Sequence, residues 1–256
     1  MRGLTPPRRA TEDQRPGEVP GAVLRVVEPN PSDPHGRAGW FARLVAALGD
    51  SARLAGVAAV ASGRWLTDVV VDVAPHVPVR DLETLRAHHA GLTGNALAQS
   101  LIDTAARTTG AVGLAGGVVT AVEFTAPPLL LSAPILVAAE TVAVVAIELK
   151  LVAELHEVYG HPVPGTTAVR AAAYLGSWTR RRGLADSAAP SGFTGLIGGA
   201  ARRELRRQIL RRGAESSVTV IPFLAGAMAG ASLNSRETKR LGNKVAKDLG
   251  GVRLRA

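Results

Sequence analysis

Residues 104–160 read TAARTTGAVGLAGGVVTAVEF (104–124), TAPPLLLSAP (125–134) and ILVAAETVAVVAIELKLVAELHEVYG (135–160). The first segment carries no charge from Thr108 to Val122, and Gly113, Gly116 and Gly117 remove side chains where a second backbone can come close. Pro127 and Pro128 cannot both lie inside a helix, because each lacks an N–H and restricts the residue before it. A turn is therefore expected near 125–128, with Pro134 in the first turn of a second helix. That second run is apolar on most faces, interrupted by Glu140 and Glu148, and past Lys150 it becomes amphipathic through Leu151, Leu155 and Val158. Tyr159-Gly160 followed by Pro162 is a stop signal. The stretch predicts two apolar helices joined as a hairpin.

The rest of the chain agrees with a helical class. Aromatic residues make up 4% of the 256 residues, and the 46% hydrophobic content comes mostly from Ala, Val and Leu, which suits close helix packing better than a β-sandwich. The expected fold is all-α, a helical bundle with a central apolar hairpin. Residues 1–36 are rich in proline and are expected as a disordered or extended N-terminal arm, with Ala22–Val27 as its one apolar run. Residues 37–256 are expected as a single helical domain. In its first part, Phe41, Leu44, Val45 and Leu48, then Leu54, Val57 and Ala58, recur at helical spacing, with breaks expected at Gly49-Asp50 and Ser62-Gly63. Further helices are expected from Asp81, from Asn95, and behind a cap at Thr166 or Thr167.

The formal charge is +9 and the sequence pI near 11.0, almost all of it from arginine. Such an excess favours acidic surfaces, either anionic lipid or nucleic acid. It is densest in GAARRELRRQILRRG (199–213), where Ala201, Leu205 and Ile209 form one stripe and Arg202, Arg203, Arg206, Arg207 and Arg211 the other side. This amphipathic segment is the candidate for anionic-surface binding. No cysteine is present, which excludes disulfides, thiolate-held clusters and Cys-based zinc sites. Arg8-Arg9 has no apolar run behind it, so no secretory signal is read there.

Residues 216–235, SSVTVIPFLAGAMAGASLNS, are uncharged and just meet the roughly 20 residues needed to cross a bilayer. Both flanks are basic, however, and one crossing would export one of them. Glu123 and Glu140 would each cost roughly 2.5–3.5 kcal/mol at the centre of an inserted helix. A buried bundle, or a hairpin that dips in and returns, is expected instead. Three Gly-x-x-x-Gly spacings, Gly113 with Gly117, Gly195 with Gly199 and Gly226 with Gly230, are the candidate positions for close helix packing.

No catalytic or cofactor-binding signature is found, and no cofactor or metal is expected. His156, Glu157 and His161 resemble a zinc helix, but five residues separate the histidines where four are needed to share a face. His88-His89 points in two directions. Glu123 and Glu140 flank the hairpin turn and would face each other, each take an arginine, or cap exposed amides of a neighbouring helix.

The succession AARTTGAVGLAGGVVTAVEFTAPPLLL, then ELHEVYGHPV, then IPFLAGAMAGASLNSRETKRLGNKVAKD resembles the EcsC-like bacterial proteins over roughly residues 94–249. Glu123 stands near where that family usually has aspartate. The resemblance implies a helical, membrane-associated protein, in a family named for its link with an ABC transporter and without established catalytic residues. The sequence thus predicts a non-enzymatic helical protein at the cytoplasmic face of the membrane. Its expected partners are an anionic membrane surface and a membrane protein or a second copy of itself. The alternative is a cytoplasmic basic bundle that binds nucleic acid.

Overall fold

The computed structural model describes residues 17–28, 30, 32–123, 133–182 and 223–252. Regular structure among them is entirely helical: α1 (Glu18–Val27), α2 (Gly36–Ala55), α3 (Val57–Ala61), α4 (Arg64–Val73), a 3-10 turn (Ala74–His76), α5 (Leu82–His88), α6 (Gly94–Glu123), α7 (Ala133–Val158), α8 (Thr167–Arg181) and α9 (Phe223–Val252). The all-α class follows.

Helix α7 is the axis of the bundle. Every residue from Thr141 to Leu155 is buried, charged ones included, because α1, α2, α4, α5, α6, α8 and α9 all pack on it. A helix that is apolar on every face needs neighbours on every face. The hairpin with α6 is antiparallel: Ile102 and Leu151 meet at Gly242, while Gly116 lies beside Glu140. Its turn, with Pro127 and Pro128, lies outside the described residues. Helix α9 then runs antiparallel along α6. Asp103 pairs with Lys239 at 2.9 Å, and Gly110 and Gly113 face Ala231.

Several boundaries differ from the sequence expectation. Residues 18–27 are neither extended nor disordered but form α1, because Ala22, Val23, Val26 and Val27 share one helical face and bury it in the core. Arg37 Nε donates to the Val26 carbonyl at 3.2 Å and Lys150 pairs with Glu28 at 2.9 Å, holding the end of α1 in place. Trp40, whose ring carries the guanidinium groups of Arg25 and Arg43 at 5.5 and 4.9 Å from its centroid, closes the same corner.

Gly49-Asp50 does not break the second helix. Gly49 sits inside α2, and the chain turns instead at Gly56, whose φ of +83° only glycine adopts without strain, and at Gly63 with φ +67°. Leu54 and Val57, placed on an apolar face by their spacing, are 91% and 87% exposed on either side of that turn. The apolar residues from Phe223 and the polar tail beyond Ser235 form one continuous helix through Val252.

The shorter helices start where their caps are. Asp81 accepts from the Thr84 amide at 2.7 Å, and this bond holds its carboxyl below the usual aspartate value. Thr166 accepts from Val169 at the start of α8.

Candidate functional site

Charges inside an apolar helix are where chemistry would be sought. The deepest is Glu148, fully buried at the middle of α7. The last turn of α8 and the residue that caps it bring Trp178 and Arg182 to it, four residues apart and therefore on one side. Trp178 Nε1 donates to its Oε2 at 2.8 Å and Arg182 Nε to the same oxygen at 3.2 Å. From α9, Thr238 Oγ1 donates to Oε1 at 2.9 Å, where Arg182 Nη2 also donates. Arg182 continues to Glu237 at 3.4 Å. Both carboxylate oxygens therefore already accept two donors each, and the group joins three helices.

A second cluster lies nearer the end of α7. Lys150 Nζ donates to the Pro78 carbonyl at 2.9 Å and pairs with Glu28 and Glu154. Glu154 is in turn held by Arg80 in a two-pronged pair, with Nε at 2.7 Å and Nη2 at 3.1 Å. All three protons of the ammonium are used. The guanidinium of Arg80 reaches His88 Nδ1 at 3.3 Å, and His89 bonds Ser100 at 2.8 Å. Burial, with Arg80 nearby, holds His89 below the usual histidine pKa. This cluster ties α1, the 77–80 segment and α5 to α7.

Among the described residues, the partner Glu140 finds is an amide. Its Oε1 accepts from Asn234 Nδ2 of α9 at 2.6 Å, while the Glu123 side chain lies outside the described residues. His156 Nδ1 donates to the Val152 carbonyl at 2.7 Å, one turn back along α7, and its ring meets the edge of Tyr174. His161 lies beyond the end of that helix. Among the described residues, no three His, Asp or Glu side chains converge as a metal would require.

One cleft opens between the 3-10 turn and the start of α8, with a volume of about 290 Å³. Its floor is Leu149 and Ala153 of α7 and its wall Pro75 to Val79. Arg170 stands at the rim, 3.9 Å from Glu157. The Tyr174 hydroxyl accepts from the Val163 amide at 3.3 Å. This is the small end of the range for ligand pockets, and it brings no nucleophile and base together.

The candidate residues for anionic-surface binding, Arg202, Arg203, Arg206, Arg207 and Arg211, lie outside the described residues, as do Gly195 and Gly199. Gly113 is in α6, where a Cβ would stand 2.9 Å from the Ala231 amide nitrogen and 3.1 Å from the Gly230 carbonyl carbon. Gly117 lies further along α6, and Gly226 and Gly230 lie in α9. The two ion clusters, by contrast, join residues far apart in the sequence. Their traces in the sequence are Glu148, and Lys150 with Glu154 a turn later, inside an otherwise apolar run.

Comparison with protein-family models, with curated proteins and with solved structures finds no match for this chain.

Proposed function

We propose that the protein works by binding rather than by catalysis, as a helical body held peripherally at the cytoplasmic face of an anionic membrane. One observation carries this reading: the apolar surface of α7 is spent inward. Fifteen consecutive residues, from Thr141 to Leu155, are buried by neighbouring helices. No helix among the described residues is long and apolar enough to cross a membrane. Attachment would then rest on charge. The described helices are close to charge-balanced, and most of the formal +9 falls on residues 1–16, 183–222 and 253–256, which include the five candidate arginines. Each basic residue near an anionic surface contributes about 1 kcal/mol, and salt screens it. The EcsC-like resemblance supports a narrower form of the reading, in which the protein is accessory to a transporter.

Cosedimentation with phosphatidylcholine vesicles, with and without phosphatidylglycerol, tests the proposal. The expected result is binding that requires the anionic lipid and weakens steeply with salt. In cell fractionation, the protein should stay with membranes at low salt and leave them in carbonate. Recovery entirely in the soluble fraction at low salt would overturn the reading. Tight, steeply salt-dependent binding to DNA or RNA without vesicle binding would favour the nucleic-acid alternative.

A further inference from the structure

The corner between α2 and α3 departs from the pattern of the bundle. Leu54 and Val57 are 91% and 87% exposed, whereas the other large exposed apolar side chains among the described residues, Leu233, Leu114 and Leu92, reach 58%, 45% and 37%. Gly56 turns the chain between them at φ +83°, and a Cβ placed on it would meet nothing within 4 Å. Ala55 and Ala58 are exposed as well. The result is a convex apolar tip. In the sequence, Arg53, its side chain 79% exposed, directly precedes it, and Arg64, also exposed, follows at the start of α4. Asp50, paired with Arg53, is the one acidic residue between positions 50 and 64.

We infer that this tip dips into the interface of an anionic bilayer, with Leu54 and Val57 entering the acyl boundary and Arg53 and Arg64 remaining at the phosphates. The inference rests on the peripheral-membrane reading and names the contact that reading lacks. A lipid surface fits the tip better than a protein does. A protein partner needs a broad complementary face of about 1,000 Å² or more, and a protruding corner of two aliphatic side chains offers no such area. A bilayer yields around a small wedge, and arginines extend their charge toward headgroups while their stems lie along the apolar boundary.

The test compares the wild-type chain with L54S/V57S on phosphatidylcholine–phosphatidylglycerol vesicles. Because both side chains are exposed, the thermal midpoint should not change, while vesicle partitioning should fall roughly tenfold or more. Since the chain has no cysteine, Leu54→Cys can carry a single environment-sensitive dye. Its emission should shift to the blue on these vesicles and be quenched by lipids labelled in the upper acyl chain. If the wild type binds but L54S/V57S binds equally well, or the dye does not shift, the tip is wrong and the peripheral reading stands. If the wild type binds no anionic vesicle, both fail. Self-association in the ultracentrifuge that the double substitution abolishes, with vesicle binding unchanged, would assign the tip to a second copy of this chain instead.

Discussion

Glu148 shows what a single residue contributes here. Moving a carboxylate out of water costs several kcal/mol, and the charge is tolerated because Arg182, Trp178 and Thr238 fill both of its oxygens. Glu148→Ala would take the acceptor from a buried indole N–H and a buried hydroxyl and leave the Arg182 guanidinium with its longer pair to Glu237. We expect it to destabilise the protein by about 3–5 kcal/mol in urea unfolding. Glu148→Ala combined with Arg182→Met should lose less than the two single changes added together, since removing both partners leaves no unpaired charge. The histidines set a pH dependence. Burial, reinforced by Arg181 and His161, holds His156 below the ordinary value of 6.5 despite its bond to Val152, and His89 is lowered as well. With folded pKa values below the unfolded ones, the unfolded chain takes up protons first as pH falls. Stability present above about 6.5 is then lost progressively below it. Glu157, raised by burial, acts in the opposite sense through its own range. Thermal midpoints should therefore fall as pH drops from about 7.5 to about 5.5. His156→Gln should flatten that slope, and an unchanged slope would assign the effect elsewhere. None of these partners was legible in the sequence, because Glu148 and Arg182 are 34 positions apart and α8 alone brings them together.

At the scale of elements, the glycines decide how α6 and α9 meet. Three Gly-x-x-x-Gly spacings stand in the sequence, and nothing in it says which glycines touch. In the structure Gly113 lies against Gly230 and Ala231, and Gly110, which belongs to none of those spacings, faces the Ala231 carbonyl oxygen, which would stand 3.3 Å from a Cβ placed there. The contact at Gly113 is with backbone, which cannot move aside as a side chain can. Gly113→Ala should cost about 1–3 kcal/mol by forcing the helices apart. Gly230→Ala should do the reverse. A Cβ there meets nothing within 4 Å, so its helix propensity should stabilise the protein by up to about 1 kcal/mol. Thermal unfolding of the two variants side by side checks both signs. The same distinction explains the misplaced break in α2: Gly49 only lowers helix propensity, whereas Gly56 takes a backbone angle that other residues avoid.

For the molecule as a whole, α7 is the element the others enclose. Native-state hydrogen exchange should be slowest along 141–155 and much faster in α1 and α3, which lie at the outside of the bundle. Equal protection of α1 and α7 would contradict that arrangement. Enclosure also separates two properties that hydropathy merges. An apolar run of this length fits a bilayer or a core, and the choice depends on how many helices fold around it. What the sequence by itself determined was local. Small residues at helical spacing, proline at the hairpin, acidic Asp81 at a helix start and a threonine cap at 166 or 167 specify an all-helical chain, because backbone preference and periodicity act over a few residues. Tertiary structure decided the rest: that α7 faces other helices, that its charges find partners on α1, α8 and α9, and that Leu54 and Val57 stay outside. Those outcomes depend on distant segments competing for the same apolar faces, and no local pattern records which segment prevails.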